Sequence, residues 1–183
     1  PPLRALDAGE RAQVGPAAEK PYALVVSRLA QEKGVDVAID ACRAAGIALV
    51  VAGDGPERAA LQAHAGPAAD AARFVGRVDD AELARLRAGA AIALVPSRSA
   101  ETFGLAAAEA MAAGVPVAAS RVGALPELVE ERGLVPAGDA GALADAISRR
   151  AGDRDAGERG RERVRSLCAP AVVADGLAKL YDG

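Results

Sequence analysis

The sequence predicts an α/β fold: a doubly wound parallel sheet of Rossmann-like type, flanked by helices. Three observations predict it. Short unbroken runs of Val, Leu, Ile and Ala recur along the chain, as suits strands buried on both faces. Stretches with helical periodicity lie between these runs, so strands and helices alternate. The chain is 51% hydrophobic but only 2% aromatic, so its core is built from small aliphatic side chains that let helices lie close on a sheet.

The first strand is residues 22–27 (YALVVS). Residues 33–46 (KGVDVAIDACRAAG) are helical and stop at Gly46, a natural C-terminal signal. Residues 47–53 (IALVVAG) are the second strand. Residues 56–65 (PERAALQAHA) form a helix with Pro56 in its first turn, where a missing N–H costs nothing. Residues 72–76 (ARFVG) are a strand. Residues 79–89 (DDAELARLRAG) are a helix that Asp79 can cap. Strands at 90–97 (AAIALVPS) and 115–120 (VPVAAS) flank the helix GLAAAEAMAAG. A short helix at 125–131 and a last strand at 133–136 follow. Residues 139–151, 158–167 and 169–181 read as helices.

The organisation expected is an irregular linker over residues 1–20, one Rossmann-like domain over 21–168 and a C-terminal helix over 169–183. The 183 residues carry a net charge of −3 and no block of Lys or Arg, which speaks against nucleic-acid and basic-patch membrane binding. No run of about 18 apolar residues spans a bilayer. The first 20 residues are polar and mixed, without a signal-peptide core. Cys42 and Cys168 lack metal spacing and suit two free thiols in a reducing, cytoplasmic setting. The chain lacks an initiator Met and opens in loop-like sequence, as a piece of a larger protein would.

In open parallel sheets, ligands bind beyond the carboxyl ends of the strands. The turns there form a consistent set. SRLAQEKG follows the first strand, with Arg28 and Lys33 bracketing the turn. The Gly-rich GDGPE follows the second, GRV the third, PSRSAETFG the fourth and SRVGALPE the fifth. Two cations face one edge, and the helix starting near Phe103-Gly104 offers free N–H groups and a positive dipole end. The ligand implied is a compact polyanion such as a diphosphate. Two carboxylates, Glu101 and Glu109, stand eight positions apart, and Glu109 sits in AAAEAMAA with no polar face around it. His64, the only histidine, lies away from these turns and reads as structural or exposed.

Taken in order, SRLAQEKG, VAGDGPE, FVGRV, LVPSRSAETFGLAAAEAMAAGVPVAAS and VGALPELV resemble the motifs of the C-terminal, donor-binding domain of GT-B glycosyltransferases. The family is the large retaining group 1. Glu101 and Glu109 match its E-x7-E motif. The resemblance runs from about Tyr22 to Ile147. It implies that Arg28 and Lys33 neutralise the donor diphosphate and, with Glu101 on the hydroxyls of the transferred sugar, form the catalytic set. It implies that Glu109 holds the ribose hydroxyls, and that backbone amides of Phe103, Gly104 and Leu105 meet phosphate and sugar oxygens. Gly76, Arg77 and Val78 match a loop bordering the base, and Gly53 and Gly55 match glycines near the nucleotide. Eight helical residues rise ~12 Å, close to the ribose-to-hexose span across a diphosphate. One departure stands out: Ala124 replaces the second of two adjacent glycines common before the xPE segment.

The activity implied is metal-independent, retaining hexosyl transfer from a nucleotide-diphosphate sugar, with no cofactor. Arg28, Lys33 and the helix start supply positive potential where leaving-group charge grows. The acceptor would lie on an N-terminal domain of the same polypeptide, so this fragment alone would bind donor and catalyse nothing. Uridine, guanosine and adenosine donors all suit the motifs. A nicotinamide-dependent dehydrogenase would need G-x-G-x-x-G after the first strand, and SRLAQEKG does not supply it. A non-catalytic nucleotide-sugar-binding module would not require Arg28, Lys33, Glu101 and Glu109 all to be intact. A nucleotide-sugar epimerase of the same fold fits the E-x7-E context less well.

Overall fold

A computed structural model describes residues 21–66, 72–99 and 101–168. Six parallel strands form one sheet: β1 (Tyr22–Val26), β2 (Ala48–Ala52), β3 (Ala72–Gly76), β4 (Ile92–Val95), β5 (Val117–Ser120) and β6 (Leu134–Val135), in the order β3-β2-β1-β4-β5-β6. The winding runs outward from β1 to β3, then returns to place β4 on the other side of β1. Tyr22 to Val26 pair in register with Ala48 to Ala52, and Ala23 and Leu24 pair with Ile92 and Ala93. The reversal between β1 and β4 opens a gap between their carboxyl ends, where the connecting turns diverge.

Seven α-helices cover the sheet among the described residues: α1 (Val35–Ala45), α2 (Arg58–Ala65), α3 (Asp80–Gly89), α4 (Leu105–Ala112), α5 (Leu125–Leu128), α6 (Ala140–Arg150) and α7 (Arg154–Cys168). The two-residue alternation of strand side chains divides the core. Val25, Val51, Ile92 and Leu94 point to one face, where they meet Ile39 of α1, Leu61 of α2 and Ile147 of α6. Val95 and Val117 point to the other, against Met111 of α4, Leu125 of α5 and Val164 of α7. Leu24 and Val50 on that same side pack with Leu86 of α3. Burial on both faces is why the strands read as continuous apolar runs.

The local signals act as expected at several helix ends. Asp79 accepts from the Glu82 N–H at 2.8 Å, and Asp139 accepts from the Ala142 N–H at 2.8 Å. Gly46 ends α1 in the left-handed region. Three helices start or run differently from expectation. The helix predicted from residue 33 begins at Val35, because Gln31–Lys33 form a 3-10 turn closed by Gly34 at φ 62°. Lys33 is thereby set on a turn at the sheet edge. The helix predicted from Pro56 begins at Arg58: Pro56 and Glu57 form a turn closed by the Arg58 N–H on the Gly55 carbonyl at 3.2 Å, and the Glu57 N–H ties that turn to the Leu29 carbonyl at 3.0 Å. The helix predicted over 158–167 extends over Arg154–Cys168. Gly157, just before the expected start, is where α7 presses on the chain after α4: a Cβ there would stand 2.1 Å from the Gly114 carbonyl oxygen. Arg161 and Arg163 of α7 donate to the carbonyls of Ala112 and Ala113 after α4 and to those of Glu127 and Leu128 in α5. The expected linker over 1–20 and helix over 169–181 lie outside the described residues.

Candidate functional site

A cleft of about 270 Å³ opens at the β1/β4 reversal. Ser27, Arg28 and Lys33 reach it from the turn after β1. Ser97 and Glu101 come from the segment after β4, and Gly104, Leu105 and Glu109 from α4. The sheet brings together residues more than 60 positions apart, because β4 lies parallel and next to β1.

Glu101 is the centre of the cleft's polar network. Lys33 Nζ and Ser97 Oγ each donate to its Oε1 at 2.6 Å. Ser97 is buried at 2% exposure, so its hydroxyl is a fixed support. Burial alone would raise the Glu101 pKa, but the hydrogen bonds from Lys33 and Ser97 and the Lys33 charge outweigh it and hold the carboxyl below its ordinary value. Oε2 receives no hydrogen bond among the described residues, so an ionised acceptor stands at the cleft with capacity to spare. The backbone of Glu101 is fixed as well: its carbonyl accepts from the Ala124 N–H at 2.9 Å, and Gly123 packs against its main chain.

Glu109 meets a partner that the sequence reading did not name. Arg87, from the last turn of α3, donates from Nη2 to Glu109 Oε2. The apolar surroundings expected for Glu109 are thus supplemented by a guanidinium from another helix. Arg87 is 14% exposed, and burial lowers its pKa while Glu109 opposes that fall. The periodicity of ELARLRAG carried a usable signal, since Arg87 lies four residues after Leu83 and beside Leu86, on the side of α3 that faces the sheet.

Arg28 lines the cleft with an exposed side chain and lies 3.8 Å from Glu32. The α4 helix starts at Leu105 behind Gly104, which sits at φ 76° and gives no side-chain cap, so the first-turn N–H groups are left for other acceptors. Phe103 and Leu105 are exposed at 51% and 47%, two large apolar side chains flanking that start.

The other predicted residues stand along the same edge but outside this cleft. Gly53 and Gly55 follow β2 and press the loop onto the turn after β1: a Cβ on Gly53 would lie 1.9 Å from the Ser27 carbonyl oxygen, and one on Gly55 2.3 Å from that of Leu29. Gly76 ends β3 and Arg77 and Val78 follow it, and the Gly76 carbonyl accepts from the Gly53 N–H at 2.7 Å. Their proximity to each other is clear, and none of the five lines the cleft. His64 lies 2.9 Å from Asp40 on the α1/α2 surface. Ala124 adopts ordinary right-handed helical angles (φ −78°, ψ −7°), so its methyl requires no special backbone. Among the described residues no group of three or more His, Cys, Asp or Glu is placed to hold a metal ion, and no helix is long and apolar enough to cross a membrane.

Comparison with known proteins places this geometry. Residues 8–166 match the family described as glycosyl transferases group 1. The chain is 37% identical over 185 residues to the GDP-mannose-dependent alpha-(1-6)-phosphatidylinositol monomannoside mannosyltransferase of Mycobacterium tuberculosis, covering 90% of this chain and 48% of that protein. It superposes on sucrose-phosphate synthase from Thermosynechococcus elongatus with a TM-score of 0.78 and 35% identity, covering 98% of this chain and 49% of the other. It shares the fold of Anabaena HepE, solved in complex with UDP and glucose, with a TM-score of 0.81 and 22% identity over 97% of this chain and 53% of that one. The chain spans about half the length of these proteins. With the family match running across the sheet, the cleft and both glutamates, the chain belongs to the group 1 glycosyltransferases and has the Rossmann-like fold of one half of a GT-B enzyme.

Proposed function

We propose that this chain is the donor-binding domain of a retaining glycosyltransferase that uses a nucleotide-diphosphate sugar and meets its acceptor on a separate N-terminal domain of the same polypeptide. The observation that carries the reading is the convergence of Lys33, Arg28 and the uncapped start of α4 on one cleft that also holds Glu101 and Glu109. Two cations and a helix N-terminus suit a diphosphate, and two carboxylates with spare oxygens suit hydroxyl groups on either side of it.

In this reading, the bond between the anomeric carbon and the β-phosphate oxygen breaks as positive charge builds on the sugar. Lys33, Arg28 and the α4 amides oppose the negative charge growing on the departing diphosphate. Glu101 is held ionised by Lys33 and Ser97, and its free oxygen accepts from sugar hydroxyls, an interaction that strengthens as the ring becomes cationic. No side chain acts as nucleophile. The acceptor attacks from the face the diphosphate leaves, and the departing phosphate takes the acceptor's proton, which preserves the anomeric configuration. Protein cations supply the charge that a divalent metal would otherwise provide, and no cofactor takes part. The buried, unpaired Cys42 fits a reducing cytoplasmic compartment. The relatives named above include a GDP-mannose-dependent enzyme and a UDP complex, so the base is the first thing to determine.

Calorimetric titration of the chain with UDP, GDP and ADP tests the reading. One of them should bind, and Lys33→Ala should weaken it by roughly 1.5–3 kcal/mol, the range for a hydrogen bond to a charged group. Arg28→Ala should cost less, about 0.2–1 kcal/mol, because solvent screens its exposed charge. Unchanged affinity in both variants would remove the phosphate assignment.

A further inference from the structure

Arg87 is an expensive residue where it stands. Its side chain is 14% exposed, its Nε is buried with no hydrogen-bond partner among the described residues, and its one side-chain hydrogen bond there is to Glu109 Oε2. Its neighbours Leu83 and Leu86 pack under the sheet with apolar side chains, and an apolar residue at 87 would cover the same ground without removing a charge from water. The helix turn that carries it is pinned: Tyr22 Oη donates to the Leu86 carbonyl at 2.7 Å, and the Ala90 N–H bonds the Arg87 carbonyl at 3.1 Å. A guanidinium on a fixed stem therefore grips one oxygen of a cleft-lining carboxylate. The other oxygen, Glu109 Oε1, has no hydrogen bond among the described residues.

We propose that Arg87 is a positioning residue, clamping Glu109 Oε2 so that Oε1 is presented in a single orientation to the vicinal hydroxyls of the donor's ribose. The inference rests on the donor-site reading above and assigns to α3, which does not itself line the cleft, a part in nucleotide recognition. Lysine at 87 would keep the charge but replace the rigid planar guanidinium with a freely rotating ammonium, which holds Oε2 less firmly.

The test compares UDP, GDP and ADP with their 2′,3′-dideoxy counterparts, titrated calorimetrically into the 183-residue chain. The wild type should prefer the ribose form of its best diphosphate by about tenfold or more, equivalent to ~1.4 kcal/mol. Arg87→Met, which keeps the apolar stem, should lower that preference toward unity and leave the dideoxy affinity unchanged. Arg87→Lys should retain part of it, and gives the same reading should the Met variant fail to fold. Glu109→Gln combined with Arg87→Met should be no weaker than Glu109→Gln alone. A merely structural Arg87 would weaken both ligands alike and leave their ratio intact, and that result, or additive losses in the double variant, overturns the inference while the donor site stands. A wild-type chain that binds none of the diphosphates overturns the donor reading and this inference together.

Discussion

Glu101 and Lys33 are joined in the unliganded cleft, and that pairing decides what each substitution should do. The Lys33 ammonium is held by Glu101 at 2.6 Å, so part of its charge is already neutralised before any phosphate arrives. Glu101→Gln removes that competitor while keeping the shape and one carbonyl acceptor. Nucleoside-diphosphate affinity should therefore stay the same or tighten. In an active polypeptide containing this chain, kcat/KM should nevertheless fall by one to several orders of magnitude, because the lost interaction is strongest with the cationic sugar of the transition state. Calorimetry and steady-state kinetics on the same variant separate the two effects. A loss of diphosphate affinity with turnover intact would reverse the roles given to Glu101 and its partner. Little of this pairing was legible in sequence. The positions of Lys33 and Glu101 were, because each lies in a turn that follows a strand, and that of Glu109 was, because it is a carboxylate inside an apolar helix. The ties of Lys33 and Ser97 to Glu101, and of Arg87 to Glu109, were not, because they join residues on different turns and helices whose approach depends on the strand order.

The loop joining β5 to α5 shows how an element supports a site it does not line. Gly123 has φ 53°, and a Cβ there would lie 2.3 Å from the Glu101 carbonyl oxygen and 2.5 Å from its nitrogen. Both neighbours are backbone, which cannot swing aside. Ala124, next in sequence, is in the right-handed region and only donates its N–H to Glu101. Gly123→Ala should thus cost about 1–2 kcal/mol in left-handed strain alone, plus whatever it takes to displace Glu101. Denaturant unfolding should show the loss, and turnover should fall further than stability does. Ala124→Gly should change stability by about 1 kcal/mol or less and leave diphosphate binding as it was. Equal effects at the two positions would mean that the backbone of Glu101 does not depend on Gly123. In sequence Ala124 stands out as the departure from two adjacent glycines, and the structure locates the steric demand one residue earlier, at Gly123. Strand and helix identities were otherwise readable from periodicity. The starts of α1 and α2 were not, because a 3-10 turn precedes the one and a hydrogen-bonded turn at Pro56–Glu57 the other. The first turn of α7 was missed as well: residues 154–157 are helical, and Gly157 there packs closely on Gly114.

At the scale of the whole molecule, three partly buried carboxylates couple the fold to pH, beside the fully exposed Glu131 that Arg121 also holds below its ordinary value. Arg98 holds the Asp36 pKa below its ordinary value by a bidentate hydrogen bond that outweighs burial. Burial would raise Glu130, but hydrogen bonds from Arg150 and Arg159 bring it below its ordinary value. Glu101 is lowered by Lys33 and Ser97 against the same opposing burial. These contacts tie different parts together: α1 to the segment after β4, the segment before β6 to α6 and α7, and the turn after β1 to the site. Each carboxyl binds a proton less readily in the folded chain than in the unfolded one, so their contribution to stability is fully present above the unfolded pKa of about 4 and is lost as pH falls through the lower folded values. The melting temperature should be flat from pH 7 to about 5 and drop progressively below about 4. Glu130→Gln sharpens the test, because its partner Arg150 is 7% exposed and joined to it at 2.5 Å. The variant should melt lower than the wild type at pH 7, since a buried guanidinium loses its counter-charge. Its further fall in acid should be shallower, since one of the titrating carboxyls is gone. Scanning calorimetry across this range checks both slopes, and a wild-type melting temperature that rises below pH 4 would mean that these ion pairs do not stabilise the fold.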